Sequence, residues 1–200
     1  MSLDLEAGAT QAPDSKRRHL PGVEGIWVFV AADMTVFCIL FALFMAARRA
    51  NPAVFEASRH SLNPDFGGVN TLILLTSSWF VVMALAAVRR GRFGPAAHWL
   101  GGGFLCGVAF MISKAIEYTQ KLGAGITLLT NDFYMYYFTM TGIHLAHVVA
   151  GNVVLAVMWF KVRARTFDPA NPVALECGAT YWHMVDLLWI MLFPLLYLVR

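Results

Sequence analysis

The chain has 200 residues, 58% of them hydrophobic and 14% charged, with a mean hydropathy of +0.61, which is too apolar for a soluble domain of this size. The net charge is only +3, and the basic residues sit at the ends of apolar runs. That placement excludes a nucleic-acid-binding face and speaks of membrane topology instead.

In chain order, residues 1–22 are polar and lack the basic start and apolar centre of a signal peptide. They are expected to form a disordered cytoplasmic tail ahead of a single membrane domain, 23–200. A membrane-crossing helix needs roughly 20 mostly apolar residues, and five runs qualify: 25–47, 69–88, 96–119, 133–160 and 174–199. All greatly exceed the roughly 10 residues of a barrel strand and none alternates apolar with polar. The predicted fold is therefore an all-α integral membrane protein, a bundle of five transmembrane helices. RRANP, RRGRFGP and KVRARTFDPANP interrupt the runs with charge and proline, and KLGAG does so with glycine. Only the connection across 48–68 is long enough to do more than turn. Cys38, Cys106 and Cys177 form no C-x-x-C pair and are read as small packing residues.

With five spans the two termini face opposite sides. Lys16, Arg17, Arg18, Arg89, Arg90, Arg92, Lys161, Arg163 and Arg165 then share one side, and Arg48, Arg49, Arg59, Lys121 and Arg200 the other. The excess predicts a cytoplasmic N-terminus and a periplasmic C-terminus.

Ionisable groups at membrane depth cost about 2.5–3.5 kcal/mol each, so each one within a run calls for an explanation. The first run holds Asp33, the third Lys114 and Glu117, the fourth His144 and His147, and the fifth Glu176, His183 and Asp186. A spacing of three puts His144 and His147 on one helix face, and Glu176, His183 and Asp186 share a sector of about 80°. Asp33, His183, Asp186 and His147 fall roughly 12 to 20 Å from the inner helix ends, and Asp33, His144, His147, Glu176, His183 and Asp186 are expected to form one buried polar seam, with His183 and Asp186 hydrogen-bonded to each other. Lys114, Glu117 and Lys121 are one turn apart and are expected to pair locally at the outer end. Trp27, Trp99, Tyr134, Tyr136, Tyr137 and Tyr197 lie near run ends and read as interfacial anchors. Gly103 and Gly107 make a small-xxx-small face, and Gly142 and Gly151 flank the histidines; these four are expected to admit a neighbouring helix or a lipid chain.

The segment ECGATYWHMVDLLWIMLFPLLY resembles the last helix of subunit III of haem-copper oxidases. The family pattern, a glutamate followed by Y-W-H-F-V-D and a later W, is matched at Glu176, Tyr181, Trp182, His183, Val185, Asp186 and Trp189, with Met184 replacing the Phe. TGIHLAHVVAG is similar to the family's T-G-x-H-x-x-H-V-x-x-G at Thr141, Gly142, His144, His147, Val148 and Gly151. Glu117 and Tyr118 match its S-E-Y, and Asn70 and Thr71 its L-N-T. Where the family has S-E, this chain has ADMTVF, with Asp33 at the glutamate position. That change, the five spans and the FPLLYLVR ending resemble the NorE-type proteins associated with nitric oxide reductase.

The resemblance implies a non-catalytic accessory subunit without haem, copper or other cofactor of its own. It implies a place beside a catalytic haem-copper subunit in a bacterial inner membrane, supporting nitric oxide reductase in denitrification, holding phospholipid in a cleft and easing gas access. Three alternatives stay open: the third subunit of a quinol or cytochrome c oxidase; a metalloenzyme using His144, His147, Glu117 and Glu176; and a small proton or ion transporter built on Asp33, Asp186 and His183.

Overall fold

A computed structural model describes residues 24–167 and 172–198; the expected tail, 1–22, lies outside them. The described chain runs α1 (Glu24–Ala50), α2 (Pro52–Arg59), α3 (Pro64–Arg89), α4 (Phe93–Gly123), α5 (Asp132–Arg163) and α6 (Val173–Phe193), with a wide π turn over Pro194–Leu198. Five of these segments, α1, α3, α4, α5 and Val173–Leu198, are long and apolar enough to cross a membrane, and the protein is a multi-pass helical membrane bundle.

The helices outrun the apolar stretches that announce them. α4 has 31 residues and α5 has 32, about 46–48 Å at 1.5 Å per residue, against a hydrocarbon core of about 30 Å. Hydropathy marks the part that lipid touches, whereas the backbone ladder continues until a cap ends it. Asn63 and Asn131 cap α3 and α5 by accepting from the backbone N–H of Asp65 (2.9 Å) and Tyr134 (3.0 Å). At the other ends, three helices close in the same Schellman geometry. In α3 the N–H of Gly91 bonds Val88 O and that of Arg92 bonds Ala87 O; in α4 Gly125 and Ile126 repeat this on Leu122 and Lys121. In α5 the left-handed position is taken by Arg165, with φ 55°, whose N–H bonds Val162 O while Thr166 N–H bonds Lys161 O.

The long first connection contains α2, which starts on Pro52, a residue preorganised for a first helical turn. Its Phe55 is buried edge-on against Phe44 of α1 and Phe133 of α5. In the bundle, α4 packs chiefly on α3 and α5, and α6 lies among α1, α3 and α5. α6 is the most enclosed span. α1 is peripheral, burying only Phe37 and Phe44 fully, while Val28, Val36, Ile39 and Leu43 face outward. At the end of α6, Pro194 has no N–H to give the preceding turn, and the backbone widens there. The widened turn carries Tyr197 into the bundle, where it is 1% exposed.

Candidate functional site

The polar groups of the spans are distributed over several separate clusters; the single seam expected from the sequence is not formed. Where the C-terminal part of α4 meets the π turn lies the densest cluster. Three residues of spacing place Lys114 and Glu117 on one face of α4, and Lys114 Nζ meets Glu117 Oε2 at 2.8 Å with both side chains buried. The other carboxylate oxygen, Oε1, accepts from Tyr137 Oη of α5 (2.7 Å) and Tyr197 Oη of the π turn (2.6 Å). The ammonium also lies 5.2–5.3 Å from the ring centroids of Tyr118, Tyr137 and Trp189, a cation–π enclosure. Tyr118 donates to Thr141 Oγ1 (2.6 Å), which donates to Tyr137 O (2.6 Å). Buried charges survive only when paired and saturated with hydrogen bonds, and this pair is saturated from three elements. Tyr137 and Tyr197 are thus not interfacial anchors; Tyr134 is likewise 5% exposed and bonds Ser61 Oγ at 2.6 Å. Lys121 leaves the expected charge group and donates to the carbonyl of Ser61, because its side chain points past the end of α3 toward the loop.

The two histidines of α5 diverge. His144 is fully buried, stacked on Trp189 (5.3 Å, 29°) and edge-on to Phe110 (5.7 Å), and among the described residues neither of its nitrogens has a hydrogen-bond partner. It packs as a flat aromatic ring. His147 faces α1, with Nε2 3.1 Å from Asp33 Oδ1 and Nδ1 2.8 Å from Ile143 O. Both nitrogens face oxygens, while the other Asp33 oxygen, Oδ2, is buried with no hydrogen-bond partner among the described residues. Tyr181 Oη adds a 3.3 Å bond to His147 O.

The expected His183–Asp186 pair is absent. His183 Nδ1 and Ser78 Oγ of α3 are 2.6 Å apart. Ser78 also faces Asp186, but neither carboxylate oxygen of Asp186 reaches hydrogen-bonding geometry among the described residues. A turn of helix separates residues three apart axially, and a β-hydroxyl on the facing helix reaches His183 sooner than the short Asp186 can. Glu176 pairs with Arg89 (2.6 Å) at the opposite end of the bundle from Glu117. His144, His147, Glu117 and Glu176, the set a metalloenzyme would need, therefore do not converge. Among the described residues no group of three or more His, Cys, Asp or Glu side chains could hold a metal ion.

Two of the four glycines form a slot. A Cβ on Gly107 would lie 2.9 Å from the Trp182 ring and 2.5 Å from Asn152 Oδ1, and one on Gly151 would lie 2.7 Å from the same indole. Trp182 is clasped between α4 and α5, and its indole N–H donates to Ser77 Oγ (3.1 Å), which donates to Gly103 O (2.9 Å). Gly103 faces Val81 and Ser77 of α3. Both Gly103 and Gly107 are filled by protein, not lipid. Gly142 meets nothing closer than Tyr118 Oη at 4.0 Å and marks no tight approach.

Sequence reasoning missed Tyr137, Tyr197, Ser77, Ser78 and Arg89. The signal for Tyr137 was present: Tyr137, Thr141, His144, Val148 and Gly151 recur at helical spacing, and all are buried. No such period marks Tyr197, which depends on the widened turn.

Residues 19–199 match the family described as cytochrome c oxidase subunit III. Cytochrome c oxidase subunit 3 of Corynebacterium diphtheriae is 30% identical over 88% of this chain and 87% of its own length. The protein of the same name from Synechocystis is 31% identical over 98% and 85%. Cytochrome bo(3) ubiquinol oxidase subunit 3 of Pseudomonas aeruginosa is 29% identical over 88% and 84%. With the family match spanning all five helices, the chain belongs to the cytochrome c oxidase subunit III family.

Proposed function

We propose that the protein is a non-catalytic accessory subunit of a haem-copper-type respiratory complex, seated beside the catalytic subunit in a bacterial inner membrane with its N-terminus cytoplasmic. The observation that carries this reading is the family match from residue 19 to 199. It is supported by the chemistry of the spans: Glu117, Lys114, Glu176, Asp33 and His147 are each occupied by another residue of the chain. The basic residues concentrated at the helix ends shared with the N-terminus support the orientation.

The names of the relatives favour an oxidase as the partner. They have nearly this chain's length, so shortness does not point to a nitric oxide reductase. What favours the reductase reading, with its role in denitrification, is Asp33. The family's longer glutamate is replaced by a shorter acid that meets His147 across α1 and α5. Purification of the native complex in mild detergent tests both readings. The proposal expects a haem-copper subunit to co-purify, identified by its haem spectrum and mass; recovery of the chain without one would overturn it. Oxygen consumption against nitric oxide consumption by that complex separates the two partners.

A further inference from the structure

An accessory subunit embedded in a membrane gives one of its lateral faces to its partner, and a single imidazole marks a face suited to that. α6 packs against both α1 and α3, which scarcely touch each other among the described residues. The strip of α6 left open between them carries Thr180, His183, Leu187, Ile190 and Met191, which share a sector of about 100°. Leu187, Ile190 and Met191 are exposed there, whereas Thr180 and His183 are half-buried. On the α3 side the groove is bordered by Leu75, Ser78 and Val82, each about one turn from the next.

His183 is the middle residue of the 21 in α6, so it lies about 15 Å from either helix end and close to the bilayer midplane. In His98 and His147, Nδ1 lies within hydrogen-bond distance of the carbonyl four residues back. In His183, Ser78 Oγ takes Nδ1 instead, at 2.6 Å. The opposite nitrogen, Nε2, is not enclosed and has no hydrogen-bond partner among the described residues. Other outward-facing polar groups differ: Thr35, Thr76 and Thr119 each donate to their own helix, four residues back, at 2.7, 2.8 and 2.8 Å. Those hydroxyls are satisfied in hydrocarbon. Nε2 is not, because an acyl chain has neither donor nor acceptor at that depth. Behind the imidazole, Ser78 faces the enclosed carboxyl of Asp186, so Nε2 is the outer end of a row of polar groups rooted in the bundle.

We propose that the groove between α1 and α3 seats a transmembrane helix of the catalytic partner subunit, and that a hydroxyl or carboxamide side chain of that helix hydrogen-bonds His183 Nε2 at mid-membrane. A side chain of that class both donates and accepts, so it matches either tautomer of the ring. Leu187, Ile190 and Met191 supply the apolar contact one and two turns further along α6. Docking at this face presupposes the accessory role and adds to it a specific groove and a specific anchor.

The test uses the native complex extracted in mild detergent, with a photo-crosslinking side chain at Leu187 in the groove or at Val153 on the exposed face of α5. Leu187 should cross-link to a membrane-spanning peptide of the haem-copper subunit, identified by mass, and Val153 should not. Retention of the haem-copper subunit through detergent washing is the second readout. His183→Leu should lower retention about five-fold, the equivalent of the roughly 1 kcal/mol that an interhelical hydrogen bond contributes in a membrane. His183→Gln keeps a group that can reach the partner and should preserve most of it. Ser78→Ala removes the internal bond but leaves Nε2 in place; it should lower the thermal midpoint of the chain while leaving retention near that of the unaltered protein. Cross-links from Leu187 confined to lipid or to a second copy of this chain would overturn the docking face and leave the accessory role standing, as would unchanged retention in His183→Leu. Absence of any haem-copper subunit from the unaltered complex would overturn both.

Discussion

Glu117 is held by three hydrogen-bond donors from three elements, and the consequence is measurable residue by residue. Glu117→Ala leaves the Lys114 ammonium buried without a counter-charge and should cost about 3–5 kcal/mol. The double substitution Lys114→Met with Glu117→Gln removes both charges while keeping an acceptor for the two tyrosines, and should recover most of that loss. Thermal unfolding in detergent distinguishes the cases; a double variant as unstable as Glu117→Ala would refute the ion-pair account. Outside the spans, Glu56 of α2 takes a hydrogen bond from Arg59 (2.5 Å). That bond, then the guanidinium's charge, holds the Glu56 carboxyl below its ordinary 4.5. The depressed value means the bond steadies α2 above about pH 4.5 and is lost as pH falls through the folded value. Hydrogen exchange of α2 amides, corrected for intrinsic rate, should quicken over that acid window in the native chain and show no such step in Glu56→Gln.

Between elements, the decisive contact is the Trp182 slot. α4 and α5 close on the α6 indole because Gly107 and Gly151 carry no side chain on either side of it, and Gly178 of α6 likewise leaves room for Met158 and Val154 of α5. Gly151→Ala should therefore overpack and cost about 1–3 kcal/mol, weakening the Trp182–Ser77 bond that ties α6 to α3. Gly142→Ala, on the same helix with only Tyr118 Oη near, at 4.0 Å, should be neutral or stabilising by up to about 1 kcal/mol through helix propensity. Comparing the two by thermal midpoint, with Trp fluorescence as a second readout, separates packing from propensity. Equal effects would mean that the slot is not tight. Glycine spacing made Gly107 and Gly142 look alike. Only the neighbouring side chains tell them apart.

For the whole molecule, the odd number of spans and the unequal charge of the two ends predict opposite accessibility for positions beyond the helices. In a background with the three native cysteines replaced, a cysteine at Gly94 should react with an impermeant thiol reagent only in inverted vesicles, and one at Leu129 only in intact cells. Both positions are exposed, and neither lies in a buried cluster. The reverse pattern would invert the proposed topology.

The number of spans, the helical class and the family were legible in the chain itself, because a membrane interior allows backbone groups no partner outside the segment and so requires long uninterrupted apolar runs. The presence of Lys114 beside Glu117 was equally plain, since one turn of helix fixes that neighbourhood locally. What only the tertiary structure decided was the partner of each remaining polar group: His147 with Asp33, His183 with Ser78, Glu176 with Arg89, and His144 with the Trp189 ring. Helical periodicity assigns a residue to a face. The rotation and depth of the opposing helix, set here by glycine slots and by the widened turn at Pro194, determine which side chain that face meets.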